Sequence, residues 1–307
     1  MAYTKLIPRS TPGAKVEKFP DGDVDTMYRL SIPAGAADKY RLAQLDDYTK
    51  ISRGRFPLRP PPSTSFRTGL SLSLFARASS ISIPGTWGFG LWNDPFGLSL
   101  GFGGNPFRLP ALPNAAWFFG ASEESYLSFK APRAERSDEG TSILAHASTG
   151  GSAVEARNTQ AGHALTTPPR SSGSAQRGNA ENGFLAQAFR SPRFHPLLIL
   201  AGLAFPFSHR TTRRLMGKVI HEDGVRLSVD ATEWHRYTLD WRDDRVAFDV
   251  DHTLVFESSV SPHPPLGLVI WIDNQYAAFT PEGKIGFGVL ENPKPAWLEI
   301  KDVEINT

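Results

Sequence analysis

Three short stretches place carboxylates near indoles. In Asn93-Asp94-Pro95-Phe96, Asp94 follows the aromatic run from Trp87 to Trp92. A cleft carboxylate beside Trp87 and Trp92 would pair a polar anchor with rings that stack on a sugar or another flat ligand. The competing reading is a turn, because Asn and Asp ahead of proline bond their own backbone. In Trp271-Ile272-Asp273-Asn274-Gln275-Tyr276, strand alternation puts Trp271 and Asp273 on the face opposite Ile270 and Ile272. An acid projecting there either meets a ligand or is hydrogen-bonded to a loop, since a buried charge needs partners. Asp273 is the best-placed acid of the chain, with Asn274 beside it as a ligand-binding candidate. Glu123 and Glu124 follow the apolar stretch Ala115-Ala116-Trp117-Phe118-Phe119, which supplies a further indole, Trp117. Adjacent strand residues point to opposite faces, so the two acids cannot share a cleft without a bulge. Glu123 completes the set of candidate catalytic acids with Asp273 and Asp94.

Other polar groupings read as structural. Nothing near His235 resembles a base with its orienting partner. Asp249, Asp251 and His252 fall on a hairpin edge and turn and lack metal-ligand spacing, so no metal or cofactor is expected. Arg190, Arg193, Arg210, Arg213, Arg214 and Lys218 form a basic stretch whose default is a solvated face. The glycines of Gly101-Phe102-Gly103-Gly104 have no following Lys-Ser/Thr and no βαβ setting, which argues against a phosphate loop.

These groups sit in a chain of 307 residues with 33 Lys+Arg against 31 Asp+Glu, a net charge of +2. No bulk charge calls for nucleic acid or an anionic membrane. With no cysteine, disulfides, thiolate nucleophiles and cysteine-ligated metals are excluded. The longest apolar run, Pro196 to Phe207, is too short to span a bilayer. The N-terminus carries no secretory-type apolar stretch, so the expected location is the cytoplasm. The 27 Gly and 25 Pro favour many short elements joined by turns.

Residues 1–26 read as a polar arm, and 27–307 as one all-β domain. In Thr68 to Ala78, Leu70, Leu72 and Leu74 alternate with Ser71 and Ser73, the pattern of a half-buried strand. Trp87 to Trp92 has glycine at alternate positions, where something approaches the backbone closely. Residues 131–183 are rich in Ser, Gly, Ala, Thr, Arg and Pro and read as a flexible low-complexity insertion. Residues 194–220 are the helical element. From Val225 onward the chain reads as strands, with Asp251-His252 turning a hairpin.

Two blocks carry a family resemblance. Trp234-His235-Arg236-Tyr237-Thr238-Leu239-Asp240-Trp241, followed by Val246-Ala247-Phe248-Asp249-Val250-Asp251, resembles the hairpin of the family 16 glycoside hydrolases. Trp297-Leu298-Glu299-Ile300-Lys301-Asp302-Val303-Glu304-Ile305 is similar to that family's closing strand. Gly85 to Trp92 suits the strand leading into that family's cleft. The resemblance implies a concanavalin-A-like jelly-roll β-sandwich with a short helical insertion, and a carbohydrate-active protein. The family's Glu-x-Asp-x-x-Glu strand is missing: Ala115 to Gly120, which would align there, holds no carboxylate. The expectation is therefore a diverged glycosidase or a non-catalytic glycan binder, with Trp87, Trp92, Trp117 and Trp271 as platforms. The alternative is an intracellular enzyme or carrier whose groove takes an apolar or aromatic small molecule. The partners implied are an oligosaccharide or that small molecule, with no nucleic acid and no transmembrane segment.

Overall fold

The computed structural model describes residues 6–21, 25–47, 68–93, 112–126, 128, 182–192, 196–197, 208–280 and 285–307. Among them, two antiparallel sheets of seven strands each pack face to face. The front sheet runs in the order β1 (Ile7–Ser10), β4 (Leu42–Asp46), β13 (Gly267–Asp273), β6 (Thr86–Trp92), β7 (Ala115–Ala121), β8 (Gly183–Arg190) and β9 (His221–Arg226). The back sheet runs β12 (Thr253–Ser258), β11 (Val246–Val250), β10 (His235–Trp241), β5 (Leu70–Ala78), β16 (Ala296–Asn306), β3 (Asp25–Ile32) and β2 (Lys15–Asp21). A separate hairpin pairs β14 (Gln275–Phe279) with β15 (Ile285–Val289). Neighbours distant in sequence, such as β4 beside β13 and β5 beside β16, give the crossed connections of an all-β jelly roll.

Alternation builds the core between the sheets. From the front come Phe89, Leu91, Phe118, Phe184, Ile270 and Ile272. From the back come Leu70, Leu72, Leu74, Tyr237, Trp241 and Phe248. Phe118 is the hub, meeting Phe89, Tyr237 and Phe248 at ring centroid distances of 5.0–5.5 Å. The expected hairpin turn is present: Asp251 and His252 have φ of 49° and 63°, as a two-residue turn with both central residues left-handed requires.

The structure departs from the sequence reading in two places and describes only part of the expected helical element. The expected arm contributes β1 and β2, which pair with β4 and β3. Its short polar strands lack a strong apolar period because both are sheet edges, and Pro20 and the charges of β2 suit an unpaired rim. The helix α1 spans His209–Val219, capped by Ser208, whose Oγ accepts from the Thr211 N–H at 3.3 Å. Most of the apolar run before it, and the 131–183 insertion apart from its last residues, lie outside the described residues. Finally, the basic stretch is not wholly solvated. Arg213 is buried, donates to the Ser128 carbonyl at 2.9 Å, and lies 5.8 Å from the Tyr126 ring centre.

Candidate functional site

The outer face of the front sheet carries a second apolar cluster, edged by buried polar residues. Two rows of paired residues cross it: Gln44–Trp271–Gly88–Phe119–Leu185 and Asp46–Val269–Gly90–Trp117–Gln187. Glycine on the central strand β6 leaves the middle bare, and rings from the flanking strands fill it. A Cβ on Gly88 would stand 3.0 Å from Trp271 Cη2 and 2.3 Å from the Phe118 carbonyl. One on Gly90 would stand 2.6 Å from Trp117 Cβ. Trp117 lies at the centre of the ring cluster, 5.5 Å from Trp92, 5.6 Å from Trp271, 5.4 Å from Phe119 and 6.1 Å from Phe189. Val219 and Ile220 at the end of α1 join the cluster, and Met216 packs against it. Trp92 and Trp117 are each 9% exposed and Trp271 4%.

Of the four expected platforms, Trp92, Trp117 and Trp271 thus come together. Trp87 does not. It lies five residues from Trp92, an odd number, so the strand turns it inward, where it stacks on Phe184 at 4.9 Å. Asp273 shares the face of Trp271 as expected, but it is saturated. Its Oδ1 accepts from the Thr86 N–H at 3.2 Å, the Thr86 hydroxyl at 2.8 Å and the Gln275 N–H at 3.1 Å. Its Oδ2 accepts from the Tyr40 hydroxyl at 3.2 Å. Burial pushes its carboxyl up to about 6, against the pull of these donors. Burial and the Asp273 charge also raise the Tyr40 hydroxyl well above its ordinary value. The Thr86 hydroxyl accepts the Trp271 indole N–H at 3.0 Å, so Asp273 holds that ring through Thr86.

Asn274 is a structural staple rather than a ligand group. Its Oδ1 accepts from the Arg41 N–H at 2.8 Å, and its Nδ2 donates to the Lys39 and Leu290 carbonyls. Parity points it away from Asp273, and both protons of its amide are donated. Glu123 is exposed on the turn after β7, off the aromatic face. Asp94 lies outside the described residues. His235 bonds Asp251 Oδ2 at 2.6 Å through Nδ1 and faces the Asp230 carbonyl at 3.2 Å through Nε2, closing the hairpin.

Sequence reasoning missed the polar rim. Arg9 Nε and Gln44 Nε2 both donate to Asp46 Oδ2 at 2.7 Å. Gln187 Oε1 accepts from the Trp117 indole at 3.5 Å. A signal was present: Leu42-Ala43-Gln44-Leu45 and Phe184-Leu185-Ala186-Gln187-Ala188-Phe189 are apolar strands each interrupted by one amide. A single polar residue on a buried strand needs a partner.

The acids of this face stand far apart. Asp46 pairs with Val269 and Asp273 with Leu42, four residues away on neighbouring strands, or about 14 Å at strand spacings. Glu222, on β9, is four strands from β13, roughly 19 Å. Retaining hydrolysis needs about 5–5.5 Å and inverting about 6.5–9.5 Å. Among the described residues, no pair on this face meets either spacing, no His/Asp/Glu cluster could hold a metal, and no helix is long and apolar enough to cross a membrane.

No protein-family model and no curated protein matches the chain. Solved structures do. A glycoside hydrolase family protein from Mycobacterium thermorestibile is similar at 12% identity and a TM-score of 0.42, over 100% of this chain and 94% of that one. A family 16 endo-glucanase from Bacteroides ovatus, in complex with G4G3G-2F-DNP, is similar at 9% identity and 0.42, over 99% and 96%. A lichenase from a mouse hindgut metagenome is similar at 11% and 0.38, over 97% and 98%. The class of protein is set by the chain's own strand order: an all-β jelly-roll sandwich with a second, aromatic cluster on the outer face of one sheet.

Proposed function

We propose that the outer face of the front sheet binds carbohydrate and does not cleave it. The reading rests on one observation: Trp92, Trp117, Trp271 and Phe119 are contiguous on one face, with amides and acids at their edges. Aromatic rings with a few placed polar groups are the usual means of holding a sugar. The carboxylate spacings argue against hydrolysis by the described acids.

Thermal unfolding with gluco-, galacto- and xylo-oligosaccharides, with and without calcium, tests this. Ligand at one hundred times its dissociation constant adds about 2.7 kcal/mol of stability. One sugar class is expected to raise the melting temperature without releasing reducing ends, and Trp117→Ala to abolish the shift. Release of reducing ends would overturn the non-hydrolytic reading, and no shift with any sugar would overturn the carbohydrate reading. A second reading, an apolar small-molecule site, draws on Leu42, Leu185 and Val269 lying between the rings. It expects an extractable hydrophobic ligand in the purified protein.

A further inference from the structure

Two polar atoms of the aromatic face are buried and have no hydrogen-bond partner among the described residues: Gln44 Oε1 and Trp92 Nε1. Gln44 is 1% exposed and Trp92 9%. A buried acceptor or donor left unmet costs about 1–3 kcal/mol. Both atoms belong to the face on which the rings converge, Gln44 directly across from Trp271 and Trp92 beside Trp117.

The orientation of Gln44 follows from its neighbours. Asp46 is fully buried, and its Oδ2 accepts from Arg9 Nε at 2.7 Å, so this oxygen meets the Gln44 amide as an acceptor. The amide must turn its NH2 towards Asp46, at 2.7 Å, and this leaves Oε1 pointing elsewhere. A flipped amide would set two acceptors against each other. The Arg9–Asp46 pair therefore fixes the chemistry that Gln44 offers. An occupant of the face must bring a hydrogen-bond donor to Gln44, and the indole of Trp92 must meet an acceptor. Hydroxyl groups supply both. An apolar ring, an ether or an ester leaves Oε1 unmet. Two strands and four residues separate the positions, about 16 Å at strand spacings, which one ring cannot bridge.

We infer that Gln44, oriented by Asp46 and Arg9, and Trp92 select an extended ligand with free hydroxyls, and reject its O-alkylated and apolar counterparts. This deepens the binding reading above by naming the substituents the site demands. Gln44 and Trp92 would contact the ligand, whereas Arg9 and Asp46 act as positioning residues.

The test titrates wild type, Gln44→Met and Trp92→Phe with gluco-, galacto- and xylo-hexaoses and their per-O-methylated forms. Binding is read by calorimetry and by the indole N–H resonances of 15N-tryptophan. The hexaose that binds wild type is expected to lose tenfold or more in affinity on Gln44→Met, and the methylated form to bind neither protein. Trp92→Phe keeps the ring and loses only the donor, and it serves where Gln44→Met lowers the melting temperature. Affinity within twofold of wild type in both variants, or equal binding of the methylated hexaose, overturns the inference and leaves the carbohydrate reading standing. If no hexaose binds, the carbohydrate reading falls, and cyclohexanol against methylcyclohexane decides the inference. A Gln44-dependent preference for cyclohexanol at the Trp271 resonance upholds the hydroxyl selection by Gln44. An equal response to both, or none, overturns it.

Discussion

A carboxylate with four donors and, among the described residues, no paired cation is an uneasy thing to bury. Asp273 ionises in the unfolded chain near pH 4 and in the folded protein near pH 6. Below pH 4 both states hold the proton, and the neutral acid suits its buried site. Between pH 4 and 6 only the folded state keeps it, so stability falls as pH rises through that window and is lowest above it. The two-unit difference amounts to roughly 3 kcal/mol at 1.36 kcal/mol per unit. Asp273→Asn keeps an Oδ1 for Thr86 and Gln275, and Tyr40 can turn its hydroxyl to accept. The variant is expected to be more stable than wild type at pH 7, and to lose this component of the slope between pH 4 and 6. Urea unfolding at pH 4, 5, 6 and 7 checks it. A variant less stable than wild type at pH 7, with the slope unchanged, would show that Asp273 is held as a charge for ligand contact. At this scale, parity made the shared face of Trp271 and Asp273 legible in the sequence. The same parity, applied between Trp87 and Trp92, separates them. Gln187 stayed hidden because its role depends on Trp117, which reaches it only through cross-strand pairing, whereas Gln44 meets Asp46 two residues along the same strand.

At the level of elements, β6 shows why glycine alternates along a central strand. Gly88 and Gly90 are not turns; they are the space into which Trp271 and Trp117 lean. A methyl on Gly88 meets the Phe118 carbonyl at 2.3 Å, a backbone atom that cannot rotate away. Gly88→Ala is therefore expected to force β6 and β7 apart and cost about 2–3 kcal/mol, the upper range for overpacking. It would also weaken ligand binding beyond that loss, because the ring cluster sits on the same two strands. Thermal melts and the near-ultraviolet tryptophan spectrum measure the two effects separately, and an unchanged melting temperature would refute the packing argument. The sequence announced this close approach through its glycines, and most strands through alternation. It did not announce β14, whose Gln275-Tyr276-Ala277-Ala278 has no apolar period and which pairs with β15 and bridges Tyr126 rather than joining either large sheet. Nor did it show that α1 would turn Met216 and Val219 onto the aromatic face while Arg213 reaches Tyr126 and Ser128. A basic run looks solvated until its neighbours are known.

Across the whole molecule, the strands that close the back sheet come from opposite ends of the chain. β16 lies between β3 and β5, so Glu299 faces Arg29 on one side and Arg77 on the other. The Nε atoms of Arg29 and Arg77 each donate to this carboxylate at 2.7 Å. Its side chain is 1% exposed, while the two arginine side chains are 39% and 35% exposed. Trp297 lies under both at 5.3 and 5.5 Å, and Trp234 under Arg77 at 4.8 Å, so cations and rings alternate across three sheet neighbours. Glu299→Gln would turn an NH2 towards one of the two arginines. Breaking a fully buried pair costs about 3–5 kcal/mol; here the arginines can rehydrate, which lowers the expected loss to about 2 kcal/mol. Because the carboxylate itself is buried, the loss is expected to persist in 0.5 M salt, unlike that of an exposed pair. Sandwich pairings of such long sequence separation form or fail together. The weakened back sheet should therefore lower the unfolding midpoint seen by the front-sheet tryptophans by the same amount as the midpoint seen by far-ultraviolet circular dichroism. Coincident midpoints shifted by Glu299→Gln would tie the binding face to the staple on the opposite surface. Separated midpoints would mean that the front sheet, with its aromatic face, holds together without it.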